Sequence, residues 1–145
     1  EMCIRDRKLA MQKVDRAKYI PATLRAYAYE DSPQQIGYNA TISAPHMHAH
    51  VSELLLPYLD SSSSVLDVGS GSGYLLSVFY HLTGGSHKGK HIVGIEHIQE
   101  LVDVSQKNML HDGLEPAILN RDIIVRAGDG RFGKVVSEHT NNRGT

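Results

Sequence analysis

The sequence has little cysteine, almost no net charge and no long apolar run. Cys3 is the single cysteine among 145 residues, so no disulfide can form within the chain. The formal charge is −1, with 15 basic and 16 acidic side chains mixed along the sequence, and this balance argues against a nucleic-acid partner. No segment resembles a signal peptide or has the apolar length that spans a bilayer, so we expect no membrane partner and a cytoplasmic location.

The rest of the composition is that of a globular protein. Hydrophobic residues make up 41% of the sequence and charged residues 21%, which is ordinary for this class. We expect one domain over residues 1–145, with atypical tails at 1–13 and 134–145. The first residue is Glu1 rather than methionine, from which we expect that the natural start of the chain has been trimmed, replaced or never captured.

Strand and helix patterns alternate through the second half of the chain. Short apolar runs at Val65–Val68, 91–95 and Ile123–Ala127 predict three strands, and helical spacing predicts helices at 74–82 and 98–110. This alternation builds a parallel sheet with right-handed crossovers. The predicted fold class is therefore α/β and Rossmann-like, and the chain holds the N-terminal half of a doubly wound, mostly parallel sheet.

The first third of the chain is less regular. Helical patterns cover residues 7–18 and 44–56, and residues 21–36 have the composition of a loop. Ser43 is placed to be the N-cap of the second helix, with Pro45 in its first turn. Basic residues near the start are typical of a solvated helix face, and they are Arg5, Arg7, Lys8, Lys13, Arg16 and Lys18.

A glycine-rich segment, Gly69 to Gly73, directly follows the first of the three predicted strands. Glycines at this point let the backbone approach a ligand closely, and the helix behind them offers unpaired N–H groups. In the dinucleotide fingerprint the third glycine lies one position later, where this chain has Tyr74, so a nicotinamide cofactor is disfavoured. The segment still suits a nucleotide-like ligand.

Acidic residues follow the other two strands at the same edge of the predicted sheet. Glu96 ends the second strand, where a carboxylate accepts hydrogen bonds from ribose hydroxyls, and Asp129 with Gly130 follows the third, near the expected adenine. S-adenosylmethionine needs no diphosphate site and fits this set of groups. The alternatives to these binding roles are that Glu96 is simply an exposed glutamate and that Asp129 is only a turn residue. Asp67, inside the first strand, is expected to orient the glycine loop from beneath.

Two segments together strongly resemble the protein-L-isoaspartate O-methyltransferase family. They are DSPQQIGYNATISAPHMHAH, Asp31 to His50, and LDVGSGSG, Leu66 to Gly73. Most of the specificity lies in ATISAPHMHA, because glycine-rich loops occur in many unrelated enzymes. The segments GIEHIQELV and AGDGRFG resemble the family's next two cofactor segments, so that the resemblance covers residues 14–133.

The resemblance implies an enzyme that transfers a methyl group from S-adenosyl-L-methionine to the carboxylate of L-isoaspartyl, and less readily D-aspartyl, residues in damaged proteins, which begins their repair. Its substrates would be isoaspartyl-containing proteins and peptides, and we expect a monomer if the chain is complete. Ser43 would be the active-site hydroxyl. The expected cofactor contacts, with those of the glycine loop, are Ala40, Thr41, Ile42, Ser43, His48, Gly69, Gly71, Ser72, Glu96, Asp129 and Gly130.

The acceptor carboxylate in this reaction has a pKa near ~4, so it is already ionised at neutral pH and needs no general base. We expect Ser43 to donate a hydrogen bond that aims it at the methyl group, with Thr41 on the neighbouring surface. A capping role alone is the alternative for Ser43. His46, His50 and Glu53 fall near one helical face, as metal ligands would, but the reaction needs no Lewis acid and we predict no metal site.

After Gly133 the sequence KVVSEHTNNRGT does not resemble the family's continuation. We therefore expect the second half of the sheet to be missing, with Val65, Leu66 and Val68 on an unpaired apolar edge. Three hypotheses follow: the methyltransferase, a catalytically inactive truncated fragment that at most binds cofactor or peptide, and an unrelated protein that binds NAD.

Overall fold

The computed structural model describes residues 4–132. The α-helices are α1 (Ile4–Lys13), α2 (Pro45–Leu55), α3 (Tyr74–Leu82), α4 (Gln99–His111) and α5 (Glu115–Leu119). The strands are β1 (Gln34–Gly37), β2 (Ala40–Ile42), β3 (Val65–Val68), β4 (Ile92–Glu96) and β5 (Ile123–Ala127). Short 3₁₀ helices lie at Arg16–Tyr19, Ala22–Tyr27, Leu56–Tyr58 and Gly130–Phe132.

Strands β3, β4 and β5 form a parallel sheet in that order, with Val65 opposite Ile92 and Ile92 opposite Ile123. Helix α3 connects the first pair of strands and α4 and α5 the second, which confirms the predicted α/β fold of Rossmann-like type. Strand β4 is the most deeply buried, and its Gly94 lets α3 pack closely, since a Cβ there would lie 2.7 Å from Leu76 Cδ1. The carboxyl ends of all three strands meet at one edge of the sheet.

Strand β3 has no second strand beside it within residues 4–132. Leu66 and Val68 are each 59% exposed, as expected for an unpaired apolar edge, whereas Val65 is half-buried. An exposed row of unpaired backbone groups flanked by apolar side chains invites pairing with another strand.

The first third of the chain is more structured than its sequence indicates. Residues 21–36, expected to be a loop, contain the Ala22–Tyr27 3₁₀ helix and β1, which pairs antiparallel with β2. The helix expected over 7–18 ends at Lys13, because Asp15 accepts a hydrogen bond from the Ala17 N–H and starts a separate 3₁₀ helix. The polar connection before β5 contains the short helix α5. Such short elements leave no periodic pattern in the sequence.

The N-cap predicted for α2 is wrong. The cap residue is Ala44, and no side chain at that position makes the capping bond. A carboxylate from the preceding loop does so instead: Asp31 Oδ1 accepts hydrogen bonds from the backbone N–H of His46 at 3.0 Å and lies 2.8 Å from its Nδ1. The bond from the His46 backbone, then that from its ring, lowers the pKa of Asp31. Ser43 is therefore not committed to capping.

One of the basic residues assigned to a solvated helix face is instead buried. Arg16 is only 2% exposed and its guanidinium contacts other parts of the chain, so this prediction is wrong for Arg16. Lys8 and Lys13 are exposed as expected. The side chains of Arg5 and Arg7 lie outside the described part of the structure.

No helix within residues 4–132 is long and apolar enough to cross a membrane. Of the two atypical tails predicted from the sequence, the segment 134–145 lies outside the described residues. Residues 4–13 of the other form α1, which packs against α3 and α2. The assignment of the chain to one domain stays a prediction.

Candidate functional site

A cavity of about 160 Å³ lies at the carboxyl end of β3, bounded by the glycine loop, the β2–α2 turn and α2. Seven of the eleven residues predicted to contact a cofactor line it, and they are Thr41, Ile42, Ser43, His48, Gly69, Gly71 and Ser72. Thr41 and Ser43 are exposed, so their hydroxyls are accessible at the cavity wall. Segments that are distant in sequence thus meet at the place predicted from the strand order.

A second cavity, of about 370 Å³, lies along the ends of β3, β4 and β5. Gly69 lines both cavities, so they adjoin at the start of the glycine loop. Asp129 and Gly130 line the second one, together with His97. The two remaining predicted contacts line neither cavity: Ala40 lies in the β1–β2 hairpin and Glu96 ends β4.

The glycine loop is held in shape by α4. Gly73 has a φ of +83° at the start of α3, and a Cβ there would lie 3.1 Å from that of Ser105 on α4. Asn108 Nδ2, also on α4, donates to the carbonyl of Ser72 at 3.0 Å. Only glycine combines this backbone conformation with such close packing.

Glu96 is the buried carboxylate that connects the glycine loop to α4. It is 4% exposed, which rules out the alternative of a solvated glutamate. Its Oε2 accepts a hydrogen bond from the Gly71 N–H at 3.0 Å, and its Oε1 accepts one from the Ile98 N–H at 3.1 Å and lies 2.9 Å from His97 Nδ1. A carboxylate has about four acceptor positions, so acceptor capacity remains for a ligand hydroxyl.

Asp67 lies in the wall of the first cavity together with the residues of the glycine loop, and its expected part in orienting that loop stays a prediction. Burial and, secondarily, the charge of Glu96 raise the pKa of Asp67, because both disfavour its ionised form. Two carboxylates therefore face the same end of the sheet. Such a pair favours a ligand that carries positive charge.

Asp129 forms a turn with Arg131. The Arg131 guanidinium contacts both carboxylate oxygens, with Nε 3.0 Å from each, and the Arg131 N–H donates to Oδ1 at 3.0 Å. The Arg131 side chain, then its backbone N–H, lowers the pKa of Asp129. The contacts of Asp129 within the protein are thus those of a turn aspartate. Its part in binding an adenine stays a prediction.

His48 is buried on α2 beside the cavity. Its ring centroid lies 4.8 Å from that of Tyr74, and its Nδ1 lies 3.3 Å from Nη1 of Arg16. Burial, and then the positive charge of Arg16, lowers the pKa of His48 to about 4. The imidazole is therefore neutral at neutral pH, with Nδ1 as acceptor for the Arg16 donor.

Three residues that organise this site were missed from the sequence: Arg16, Asn108 and, as a packing residue, Tyr74. Tyr74 was noted only for its departure from the dinucleotide fingerprint, yet it is buried against His48 and Tyr19. That departure from the fingerprint was the one signal in the sequence that pointed to Tyr74. The sequence gives no such signal for Arg16 and Asn108, because nothing in their local sequence indicates burial.

No three histidine, cysteine, aspartate or glutamate side chains are grouped to hold a metal ion in the part of the chain that the structure describes. Of the three residues considered as ligands, His46 is paired with Asp31 and His50 is exposed. The metal hypothesis based on His46, His50 and Glu53 gains no support.

Comparison with known proteins identifies the family of the chain. A sequence model of the family "Protein-L-isoaspartate(D-aspartate) O-methyltransferase (PCMT)" matches residues 4–137. Protein-L-isoaspartate O-methyltransferase 1 of Arabidopsis thaliana is 46% identical over 124 residues, which is 86% of this chain and 52% of the relative. Protein-L-isoaspartate O-methyltransferase of Caenorhabditis elegans is 44% identical over 124 residues, again 86% of this chain and 52% of the relative.

The chain spans about half the length of these relatives. A crystal structure described as a protein-L-isoaspartate O-methyltransferase beta-aspartate methyltransferase from Plasmodium falciparum, in complex with S-adenosyl-L-homocysteine, superimposes with a TM-score of 0.75 at 34% identity. The match covers 85% of this chain and 55% of that one. With the family model matching most of its length, this chain belongs to the protein-L-isoaspartate(D-aspartate) O-methyltransferase family.

Proposed function

We propose that the chain supplies the cofactor site and the acceptor-orienting hydroxyl of a protein-L-isoaspartate O-methyltransferase. The reaction is transfer of methyl from S-adenosyl-L-methionine to the carboxylate of L-isoaspartyl, and less readily D-aspartyl, residues in damaged proteins. The observation that carries the proposal is one cavity in which Thr41 and Ser43 face the glycine loop, with Asp67 in its wall. Isoaspartyl-containing proteins and peptides are the proposed partners.

The residues present fit the cofactor. When bound, S-adenosylmethionine supplies a methyl group on a positively charged sulfur, and Asp67 and Glu96 give this end of the sheet the complementary charge. Glu96 is the proposed acceptor for the ribose hydroxyls, since its carboxylate is fixed by the Gly71 and Ile98 N–H groups. The other proposed contacts are Ala40, Thr41, Ile42, Ser43, His48, Gly69, Gly71, Ser72, Asp129 and Gly130.

Ser43 is the proposed catalytic hydroxyl. It is exposed at the cavity wall and makes no capping bond to α2, so its Oγ is available to a substrate. Its task is to hold the ionised acceptor carboxylate in line with the methyl group, since alignment at ~3 to 3.5 Å contributes much of the rate in such displacements. No residue has to remove a proton.

A cytoplasmic location, a monomeric state and the lack of nucleic-acid or membrane partners also stay proposals. The formal charge of −1 and the mixed distribution of basic and acidic residues support the lack of a nucleic-acid partner, because they create no broad positive surface. The family match argues against the hypothesis of an unrelated NAD-binding protein.

Methyl transfer to defined peptides tests the proposed function. The chain alone and a chimera are incubated with methyl-labelled S-adenosylmethionine and a peptide containing one isoaspartyl residue; the matched aspartyl peptide is the control. The chimera joins the chain to the part of the Arabidopsis thaliana relative that the alignment does not cover. We expect the chimera to methylate only the isoaspartyl peptide, and both proteins to bind S-adenosylhomocysteine in calorimetry.

Each other outcome has a defined meaning. Cofactor binding without methyl transfer by either protein supports the catalytically inactive fragment. If neither protein binds S-adenosylmethionine or S-adenosylhomocysteine, the proposed function is wrong.

Acidic pH is expected to weaken binding of S-adenosylmethionine more than binding of S-adenosylhomocysteine. The raised pKa of Asp67 means that this carboxylate loses its charge at a higher pH than an ordinary aspartate as the pH falls, and only S-adenosylmethionine carries the sulfonium charge. Calorimetry on the chain at about pH 7.5 and pH 5 measures the ratio of the two affinities. In Asp67→Asn the ratio of the two affinities should no longer change with pH. If the ratio still changes with pH in this variant, a group other than Asp67 causes the change.

A further inference from the structure

Three segments of the chain meet at the buried guanidinium of Arg16. We infer that Arg16 is a positioning residue for methyl transfer: by binding the carbonyl of Ser43 and the ring of His48, it fixes where the Ser43 hydroxyl lies relative to the glycine loop. The inference rests on the proposed function and adds to it a residue that none of the sequence motifs contains.

The contacts of Arg16 use each part of its guanidinium. Nε donates to the carbonyl of Ala28 at 2.7 Å, Nη2 donates to the carbonyl of Ser43 at 2.8 Å, and Nη1 lies 3.3 Å from His48 Nδ1. The guanidinium carbon lies 5.5 Å from the centroid of the Tyr74 ring. The side chain is 2% exposed, so water does not compete for these bonds.

The Ser43 carbonyl is the one that needs an outside partner. Strand β2 ends at Ile42 and α2 begins at Pro45, so Ser43 belongs to neither element. The carbonyl of Ala44 already accepts helical bonds from the N–H groups of two later residues. Because the bond from Arg16 restrains the Ser43 peptide group itself, it restrains the direction in which the Ser43 side chain leaves the backbone.

Arginine suits this position better than lysine. Its planar fork donates in several fixed directions at once, whereas an ammonium is a compact point charge on a flexible stem. The acceptors of Arg16 are two carbonyls and an imidazole nitrogen, which lie in three different segments. A buried cation is costly unless it is fully hydrogen-bonded, so loss of any one of these contacts is unfavourable.

Arg16 also holds His48 in one state. A donor facing Nδ1 places the imidazole proton on Nε2, and the adjacent positive charge opposes a second proton. His48 and Ser43 line the same cavity. One guanidinium thereby fixes two groups of the cavity wall, which is what distinguishes a positioning role from simple packing.

Steady-state kinetics of the chimera with Arg16→Met or Arg16→Lys test the inference. The matched control is Arg25→Met, because Arg25 is an exposed arginine on the neighbouring 3₁₀ helix. We expect both Arg16 variants to lower kcat about 10- to 100-fold while the Kd of S-adenosylhomocysteine changes less than about threefold. Combining Arg16→Met with Ser43→Ala should lower kcat little more than Ser43→Ala alone, since both changes remove the same orientation.

A second measurement does not depend on activity. The pKa of His48, followed by NMR of its ring in the chain alone, should rise in Arg16→Met because the opposing charge is gone, and should not change in Arg25→Met. A purely structural role would not predict this pattern together with a selective loss of kcat.

Several results would overturn the inference. Full activity in Arg16→Lys would do so, as would equal losses of kcat and cofactor affinity accompanied by a lower melting temperature. A His48 pKa that does not respond to Arg16→Met would contradict the arrangement even if kcat falls. An inactive unaltered chimera would contradict the proposed function instead, and the NMR result would still decide whether Arg16 acts on His48.

Discussion

Glu96→Gln is expected to weaken binding of S-adenosylhomocysteine about 10- to 100-fold, the largest loss of affinity from any single change at this site. The carboxylate accepts from the Gly71 and Ile98 N–H groups at 3.0 and 3.1 Å, so it shapes the loop and the start of α4 besides its proposed bonds to the ribose. An amide has one oxygen where the carboxylate has two. In the variant, one of the two backbone N–H groups would therefore meet the amide NH₂, which is also a donor, and would lose its acceptor.

Calorimetric titration of the chain with S-adenosylhomocysteine measures this loss. Glu100→Gln is the matched control, because Glu100 is an exposed glutamate in the first turn of α4, whereas Glu96 is buried against the glycine loop. Circular dichroism of both variants verifies that the helices remain. Unchanged affinity in a folded Glu96→Gln protein would remove Glu96 from the cofactor site.

Ser43→Ala is expected to lower kcat of the chimera about 10- to 100-fold, while the Kd of S-adenosylhomocysteine changes less than about twofold. The hydroxyl makes no capping bond, and the backbone of Ser43 is held through its carbonyl by Arg16. Alanine therefore keeps the turn and removes only the donor to the acceptor carboxylate. The loss should fall on turnover, since the carboxylate still binds but is no longer aligned.

Steady-state methylation of the isoaspartyl peptide gives kcat, and calorimetry gives the Kd. Ser61→Ala, an exposed serine in the loop before β3, is the control and should behave as the unaltered chimera. If Ser43→Ala turns over normally, the hydroxyl does not orient the substrate. A loss of cofactor affinity as large as the loss of kcat would mean that Ser43 acts through cofactor binding and not by orienting the acceptor carboxylate.

The sequence predicted the parallel sheet because each of its strands is a short apolar run between glycine or polar residues. The bounds of β3, α3 and β5 agree with the structure at both ends. It did not predict the β1–β2 hairpin, since strands of four and three residues are too short to show alternation. Strand order along the chain was therefore enough to place a ligand site, but not to describe its rim.

The candidate site divides in the same way. Residues adjacent in sequence to a strand end, such as Glu96 and Gly71, were predictable because parallel strands all end at one edge. That Asp67 lines the cavity was not predicted, because the direction of a side chain depends on the twist and packing of the sheet. The pKa of Asp67 is raised first by burial and then by the nearness of Glu96, and no local pattern in the sequence shows either.

By itself the sequence determined the order of the strands, the glycine loop between β3 and α3, and the resemblance of residues 31–50 to one family. Tertiary structure alone decided which groups become hydrogen-bond partners within that framework. Asp31, and not Ser43, interacts with the start of α2, and Arg16 is buried, not solvated, and binds the carbonyl of Ser43. The contacts of Arg16 follow from the free energy of burying a charge, which requires complete hydrogen bonding. In both cases the partners are distant in sequence and become neighbours only when the chain has folded.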